Sequence, residues 1–555
     1  MQKEIQSEWH LEANPFISND AWRNGTDDEW LAEAELNLDG VIEFFKRHQP
    51  DIVAGSAVSM PSGLPSGWEM QKSLISKILE PFNLPDTVID QVASNWCLED
   101  VFDICKNYNV EIADSFLMKI SGICKNIEPN YRHFAIVNYR SAHPKARIFT
   151  TNWDDLFEKA AVNMGFSVSS ASNFALGNNN DKSTKTIAHI HGSFADENCV
   201  CSSIVEARGI QLPVNFLARP SFFVGYSGYE PSIHFHLLAM APPQLWCIFN
   251  KNELKDPLKR RMLRRKNRYF YVGDMDAILE KVSKITDKRH IPPQEIEILA
   301  IQNDHLGTYC AGLHLMSRIN LGFIRDYSGR FRLPPFRERM LPKLLWGKDT
   351  QIALAIDTIL YRQLYEQVLN HSYDASTLRD LFQLAEDRGS PQCLLTTIAL
   401  LLRHADEKMN PFSDKNLFEM INDTKRSFNN EFDTFVHSGG AIISRLQFYL
   451  MYTHDPRSVW NTKDEKDIVI QSYVIPKAAG DLNLLAESSE IYGNLFLREN
   501  RLGKAEEYYH MAATAHYLSR RNKAGFLCDD LAAQAREFSG SQISLRISND
   551  LPPLG

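Results

Sequence analysis

The sequence predicts an α/β fold, in which a Rossmann-like parallel sheet follows an acidic N-terminal extension and precedes an α-helical C-terminal domain. Strand-like runs alternate with helical stretches in the first half of the chain, a pattern typical of parallel sheets. After about residue 290 the strand-like runs thin out and helical periodicity dominates. The extension is acidic because residues 1–40 contain ten Asp or Glu and only two Lys or Arg.

Length and composition limit the number of domains and the class of protein. At 555 residues the chain exceeds one ordinary core, so two main domains are expected. No run approaches 18 apolar residues and no secretory signal is recognisable, which predicts a cytoplasmic protein without a membrane partner. We predict four segments: an acidic extension (1–39), a sheet domain (40–290), a helical regulatory or interaction domain (291–538) and a flexible tail (539–555).

Cysteine spacing and charge exclude several classes of protein. The nine cysteines contain no C-x-x-C pair, which argues against a disulfide framework or a zinc ribbon and predicts small buried thiols. The net charge of −9 argues against general nucleic-acid binding, and we expect no direct sequence-specific binding. Residues 251–268 nevertheless contain nine Lys or Arg. Such a run is a solvated helix face or, alternatively, a docking surface.

Six strand-like runs are expected in the sheet domain, at 52–54, 146–150, 187–191, 222–226, 245–249 and 269–272. The first run enters Gly55–Pro65, a loop rich in Gly, Ser and Pro. Glycines permit close approach to the backbone, and exposed amides and hydroxyls suit a phosphate or a ribose. Considered alone, the loop is equally well explained as an ordinary turn.

Asn152 and His191 follow two of these runs and lie 39 residues apart. Ligands of open α/β sheets bind in a crevice at the carboxyl ends of the strands. The two strands are therefore predicted to direct an amide and an imidazole towards one ligand. Two further turns, one with Gly225 and Ser227 and one with Gly273 and Asp274, could contact ribose or phosphate, so the sequence indicates a nucleotide-ribose site.

These motifs resemble those of the sirtuin family, and more closely those of the sirtuin-like NAD hydrolases of bacterial antiviral defence. The resemblance covers about residues 40–290. The segments that carry it are the loop Gly55–Pro65, Thr150–Asp154, His191-Gly192, Gly225–Ser227 and Gly273–Asp276. It implies a sirtuin-like fold with NAD⁺ as the substrate.

The resemblance also implies roles for individual residues. Asn152, His191 and Asp154 would be catalytic: the amide would hold a water or a ribose hydroxyl, the imidazole would accept a proton, and the carboxylate would orient the turn or contact ribose. The residues implied in nucleotide binding are Gly55, Ser56, Ala57, Ser59, Pro65, Thr151, Gly225, Ser227, Gly273 and Asp274. Water is the expected acceptor, and the products are nicotinamide and ADP-ribose.

Three departures from the family pattern affect these expectations. Glu230 stands where the defence branch often has Asp. Ala57 replaces a glycine of the loop, and the missing C-x-x-C pairs remove the zinc module of sirtuin deacylases, so neither zinc nor another metal is expected. The alternatives are an NAD-dependent protein deacylase or ADP-ribosyltransferase, and a non-enzymatic NAD- or nucleotide-sensing scaffold. His189 and His191 could also be interpreted as two metal ligands, an interpretation that we do not favour.

The helical half indicates regulation. An enzyme that destroys NAD⁺ harms its own cell, so the resemblance implies controlled activity in anti-phage defence by abortive infection. One tetratricopeptide-like spacing of small and aromatic residues is present, formed by Gly493, Phe496, Ala505, Tyr509 and Ala512. The expected partners are further copies of this chain, a co-encoded or phage-derived activator protein, or a nucleotide signal.

Overall fold

The computed structural model divides the chain into two compact units. The first, here called the sheet unit, comprises residues 1–74 and 113–299, and the second, the helical unit, comprises 75–112 and 300–555. The domain boundaries predicted from the sequence remain a prediction. The structure describes residues 27–167, 169–172, 186–195, 200, 202, 216–230, 233–234, 237, 242–285, 305–316, 364, 367–368, 370, 380–382, 397, 482–498 and 500–540.

Seven strands form one sheet: β1 (Asp51–Ala54), β2 (Ile148–Thr150), β3 (Ser169–Ser172), β4 (Thr186–His189), β5 (Ser221–Val224), β6 (Gln244–Ile248) and β7 (Arg268–Val272). Their order is β3-β4-β2-β1-β5-β6-β7, and every neighbouring pair is parallel. The predicted α/β fold with a Rossmann-like parallel sheet is therefore confirmed.

The strands differ from the sequence prediction in two respects. β3 was not predicted, because Ser-Ser-Ala-Ser contains none of the β-branched apolar or aromatic residues that are typical of strands. The run predicted over 187–191 ends at His189, so His191 lies in the turn beyond the strand and not on the strand face shared with His189.

The helices are α1 (Asp27–Ala34), α2 (Leu38–His48), α3 (Gly67–Leu79), α4 (Asp86–Ser94), α5 (Leu98–Tyr108), α6 (Val110–Asn126), α7 (Tyr131–Ala142), α8 (Leu156–Asn163), α9 (Pro257–Leu263), α10 (Met275–Ser283), α11 (His305–Met316), α12 (Leu482–Arg498), α13 (Leu502–Leu518) and α14 (Asn522–Gly540). Among the residues that the structure describes, none of these helices is long and apolar enough to cross a membrane.

The sheet is covered on both faces. Along β1, Ile52 and Ala54 belong to one hydrophobic core and Val53 belongs to another, because successive strand residues point to opposite faces. The first core also contains Phe44 of α2, and the second contains Phe216. Burial on both faces explains why the strands are continuous apolar runs instead of alternating ones.

The end of the acidic extension is part of the sheet unit. Trp30 of α1 is fully buried in the second core, and the backbone amide of Leu36 donates to the carbonyl of Phe270 in β7 at 2.8 Å. Asn37 then caps α2, since its side chain accepts from the amide of Gly40. Residues 27–39 therefore pack with the sheet, whereas Trp9 and Trp22 lie outside the described residues.

The basic run is not a solvated helix face. Lys259, Arg261, Arg265 and Arg268 are buried, so this interpretation is wrong for these four residues. Arg268 begins β7, and its two terminal nitrogens donate to the carbonyls of Pro242 at 3.0 Å and Leu237 at 2.7 Å inside the fold. Burial lowers the pKa of Arg268 to about 9, and the side chain remains charged at neutral pH.

In the helical unit, α12 packs against α13 and α13 against α14. A Cβ on Gly493 would lie 2.7 Å from the ring of Tyr509, so the glycine allows α12 and α13 to cross closely. Phe496, Ala505 and Ala512 are buried beside them. Gly493 and Tyr509 therefore contact between α12 and α13, while the tetratricopeptide-like array stays a prediction because most of 317–481 lies outside the described residues.

Candidate functional site

The sheet brings Asn152 and His191 to neighbouring strand ends. In the parallel pair of β2 and β4, Thr150 lies opposite His189, and each candidate residue follows two positions later. Backbone hydrogen bonds extend the pairing beyond the strands, from Ile190 to Thr150 at 2.8 Å and from Thr151 to Ala54 of β1 at 3.1 Å. The two candidates therefore lie at the same edge of the sheet as the glycine-rich loop.

The order in which the strands are added to the sheet reverses between the parallel strands β1 and β5. Ligands of open α/β sheets bind at such a reversal point. The two strand ends meet there backbone to backbone. A Cβ on Gly55 would lie 2.4 Å from the carbonyl oxygen of Gly225, and a Cβ on Gly225 would lie 2.8 Å from the amide of Val58. Gly225 also has a φ of +62°, which favours glycine. Both glycines are thus required by the packing of the protein itself.

The loop after β1 combines buried and accessible groups. Ser56–Val58 form a single 3₁₀ turn, and Ser56 and Ala57 are half-buried, whereas Ser59 and Pro65 are buried. The side-chain amide of Asn130, at the N-terminus of α7, donates to the carbonyl of Val58 at 2.9 Å and fixes the end of the turn. Ser56 and Ala57 are therefore the half-buried residues of the turn at the reversal point of the sheet, although the amides of Ala57, Val58 and Ser59 already donate to carbonyls of the protein.

The Ser59 hydroxyl forms hydrogen bonds with Asn152, Asp154 and His133. It donates to Asp154 Oδ2 at 2.9 Å and accepts from Asn152 Nδ2 at 2.9 Å. His133 Nε2 lies 3.2 Å from the same oxygen, and His133 Nδ1 accepts from the backbone amide of Asn130. Because Nδ1 is an acceptor, the neutral ring carries its hydrogen on Nε2 and donates to Ser59. Burial lowers the pKa of His133 to about 3, which keeps the ring neutral.

Both carboxylate oxygens of Asp154 accept hydrogen bonds from groups of the protein. Its second oxygen accepts from the amide of Leu156 at 3.2 Å, at the start of α8. Burial raises the pKa of Asp154 to about 6, although the hydrogen bonds from Ser59 and Leu156 oppose the shift. The structure thus places Asp154 against Ser59, and it orients Asn152 through that hydroxyl.

Asn152 retains one buried acceptor. Its Nδ2 is bound to Ser59, and its backbone carbonyl lies 3.0 Å from His189 Nδ1. The side-chain oxygen Oδ1 is buried and has no hydrogen-bond partner among the residues that the structure describes. A buried acceptor without a partner is destabilising by roughly 1–3 kcal/mol, so its presence at a strand end points to a ligand or water that completes it.

His189 contacts the turn that contains Asn152 through the Asn152 backbone carbonyl. Its Nδ1 faces the Asn152 carbonyl and its Nε2 lies 2.9 Å from Glu158 Oε1. Both partners are acceptors, so both ring nitrogens carry hydrogens and the imidazole is positively charged. Burial alone would lower the pKa of His189, but the hydrogen bond and charge of Glu158 raise it. Both ring nitrogens of His189 therefore face protein partners in this structure.

His191 differs from His189 in its charge. It is buried, and burial lowers its pKa to about 4, so the ring is neutral at neutral pH. Its Nε2 lies 3.8 Å from Glu230 Oε2, within ion-pair range but beyond hydrogen-bonding distance. Gly192, with a φ of +78°, makes the turn that follows. A neutral imidazole can accept a proton, which is the chemistry that the sequence assigned to this residue.

These strand ends fall within a known domain family. Residues 146–241 match the family model of the SIR2-like domain. The match fits the sirtuin superfamily, whose members use NAD⁺. A search of curated proteins found no match to the chain.

The matched SIR2-like region contains β2, β3, β4 and β5 with Thr151, Asn152, Asp154, His191, Gly225 and Ser227. β1 with its loop, β6 and β7 lie outside the matched residues, but they pair into the same sheet. Thr151 is buried beside Asn152, and Ser227 is exposed, with its hydroxyl accepting from the amide of Tyr229 at 3.4 Å. The SIR2-like strands and the glycine-rich loop thus share one edge.

The turn after β7 is joined to the SIR2-like site by a residue that sequence reasoning missed. Asp274 caps α10 by accepting from the amide of Asp276, and Gly273 precedes it. Arg132 pairs with both oxygens of Asp276, at 2.7 and 3.2 Å, and donates to the carbonyl of Ala57 at 2.5 Å. No sequence pattern predicts that Arg132, His133 and Glu158 belong to this site, because their partners there are 31 to 144 residues away in the chain.

Proposed function

We propose that the SIR2-like region hydrolyses the N-glycosidic bond of NAD⁺ and releases nicotinamide and ADP-ribose. The observation that carries the proposal is the buried Asn152 Oδ1, an acceptor without a protein partner among the described residues. It lies at a strand end adjacent to that of the neutral His191, in a domain that matches a SIR2-like family.

Cleavage of this bond depends more on the position of the reacting groups than on activation of the leaving group. Nicotinamide leaves as a neutral base from a cationic ring, and positive charge develops on the ribose. Asn152 is rigid because Ser59 and His189 hold its amide nitrogen and its carbonyl. Its free oxygen is suited to accept from a water or a ribose hydroxyl, which places that group for reaction.

His191 would accept the proton that the reaction releases. Water adds to the anomeric carbon as the bond to nicotinamide breaks, and the net products are nicotinamide, ADP-ribose and one proton. A neutral imidazole with a low pKa is available for this step throughout the neutral range. General-base catalysis of this kind contributes typically about 10²–10⁴-fold.

The loop after β1 would hold the diphosphate of NAD⁺. The half-buried Ser56 and Ala57 follow a strand at the reversal point of the sheet, and Arg132 lies beside Ala57 with its guanidinium paired to Asp276. The hydroxyl of Ser56 would offer the diphosphate a donor beside this cationic side chain. The contacts of Gly273 and Asp274 with the nucleotide remain part of this proposal.

We further propose that this activity serves anti-phage defence in the cytoplasm and that the helical unit controls it. The support is the resemblance to defence NAD hydrolases and the presence of a second compact unit in the same chain. Further copies of the chain, an activator protein or a nucleotide signal would bind the helical unit.

The test is to measure NAD⁺, nicotinamide and ADP-ribose in bacteria that produce the full chain, with and without phage. Loss of NAD⁺ with free ADP-ribose is expected for the wild type and not for Asn152→Ala or His191→Ala. Asn138→Ala, whose amide binds the carbonyl of Ser283 outside the site, is the matched control and should behave as wild type. Acylated ADP-ribose or modified protein would instead indicate transfer, and binding of NAD⁺ without turnover under every condition would indicate a sensing scaffold.

A further inference from the structure

Three side chains that could bind a metal ion converge inside the helical unit. Glu490 of α12, His516 of α13 and Cys528 of α14 each offer one donor atom, and these atoms lie within 4.8 Å of one another. All three residues are buried, with Glu490 5% exposed and the other two 0%. We propose that they form a binding site for a transition-metal ion of the Zn²⁺ class, a site independent of the proposed NAD⁺ chemistry.

The distances match the edges of a small tetrahedron. Glu490 Oε1 lies 3.3 Å from Cys528 Sγ and 3.5 Å from His516 Nε2. With Zn–S of about 2.3 Å and Zn–N or Zn–O of about 2.0–2.1 Å, adjacent ligand atoms lie about 3.3–3.6 Å apart. Two of the three edges therefore have the required length, and the sulfur and the imidazole nitrogen that form the third edge lie within 4.8 Å of each other.

The donor set selects the class of metal. Mg²⁺ and Ca²⁺ prefer oxygen ligands, whereas a thiolate, an imidazole and a carboxylate together suit Zn²⁺ and related ions. Three protein ligands leave the fourth tetrahedral position for a water molecule.

Charge balance supports the same conclusion. Placing a carboxylate at such depth is unfavourable unless a positive charge compensates it. A thiolate and a carboxylate carry two negative charges, and a divalent ion neutralises both while the imidazole stays neutral. The bound site would thus have no net charge.

The position of the three ligands gives the ion a structural role. Each ligand comes from a different helix of α12–α14, so one ion would join all three. Metal binding to such a site contributes directly to the stability of the folded state. We therefore expect the helical unit to lose thermal stability when the metal is removed.

The competing arrangement is a metal-free cluster in which the Cys528 thiol donates to Glu490 and a protonated His516 pairs with the same carboxylate. The variant Glu490→Gln distinguishes the metal site from the metal-free cluster. The glutamine side chain has nearly the same volume as glutamate, and its amide oxygen can still accept from the thiol. A metal site loses affinity with this change, whereas the hydrogen bond from the thiol is retained.

The experiment uses the full-length chain, stripped with a chelator and then exposed to Zn²⁺ or Co²⁺. We expect one metal ion per chain by elemental analysis, a thiolate-to-cobalt absorption band, and a lower melting temperature after chelation. Cys528→Ala, His516→Ala and Glu490→Gln should each weaken metal binding at least tenfold. Cys105→Ala, a buried thiol of α5, and His510→Ala, on the same helix as His516, should bind the metal as wild type does.

Two results would overturn the site. One is a folded wild-type chain that binds no Zn²⁺ or Co²⁺, and the other is metal binding that the changes at 490, 516 and 528 leave intact. If His516→Ala and Cys528→Ala do not fold, Glu490→Gln and the cobalt spectrum of the wild type decide the question.

Discussion

Ser59 Oγ and Asn152 Nδ2 lie 2.9 Å apart although 93 residues separate them in the chain, and their hydrogen bond joins the loop after β1 to the end of β2. The same hydroxyl is oriented by Asp154 and His133, so its proton can point only to the carboxylate. This arrangement fixes which atom of the Asn152 amide remains available to a ligand.

Ser59→Ala should therefore lower NAD⁺ turnover without unfolding the protein. Loss of the acceptor for Nδ2 lets the Asn152 amide rotate, and misplacement by about 1 Å can decrease a rate on the order of 10²-fold. We expect the decrease in kcat and a smaller change in KM. Ser283→Ala, another buried serine that binds a helix carbonyl, is the control and should keep its activity. Equal activity in both variants would contradict the positioning role of Ser59.

Gly225→Ala should abolish activity and reduce folding yield. The added methyl group would lie 2.8 Å from the amide of Val58, and the φ of +62° disfavours any side chain. Gly122→Ala in α6 is the matched control, because a Cβ there meets nothing within 4 Å and alanine favours a helix by about 1 kcal/mol. Thermal melting of the two variants should shift in opposite directions, and a Gly225→Ala protein as stable as wild type would show that the loop can move.

Glu158→Gln should lower the pKa of His189, the histidine that contacts the backbone carbonyl of Asn152. The glutamine can still accept from His189 Nε2, but it removes the negative charge that raises the pKa of His189. We expect the pKa of His189 to fall below its wild-type value, measured by NMR titration of its ring protons, and the NAD⁺ turnover to decline near neutral pH. An unchanged titration would mean that Glu158 does not set the charge of this histidine.

Acidification should destabilise the sheet unit below about pH 6.5. Burial lowers the pKa of His133 to about 3 and the pKa values of His191 and His234 to about 4, so the unfolded chain binds protons that the folded chain does not. The stability that these neutral rings contribute is present above pH 6.5 and is lost as pH falls towards their folded pKa values. Asp154, with a pKa raised to about 6, opposes one of the three because it takes up its proton in the folded state.

The net loss should approach that of two groups, on the order of a few kcal/mol per pH unit between pH 6 and 5. The measurement is the urea midpoint of the full chain at pH 7, 6 and 5. His234→Gln removes one titrating ring and should reduce the slope. A slope that is flat or of opposite sign would show that these rings are not buried as neutral groups.

Local patterns predict the runs that become β1, β2 and β4 and place Asn152 and His191 near the ends of two of them, whereas the order of the strands depends on tertiary pairing and was not predicted. β3 could not be predicted, because Ser169–Ser172 form a strand through pairing with β4 and not through their own propensity. Ser59 was predicted as a nucleotide contact, but its partner His133 depends on the capping of α7 by Asn130. Burial of Arg268 and Lys259 was likewise unpredictable, since charge runs are usually solvated and only the tertiary partners decide otherwise.

The burial of Trp30 bears on where the protein can be cut. A recombinant catalytic fragment that starts at residue 40, as the composition of the chain suggests, would lack α1 and leave the second core open beside β7. Such a truncation would expose apolar surface to solvent and favour aggregation. Residues 27–39 are therefore part of the folded sheet unit, and a fragment intended for assay or crystallisation should begin before residue 27.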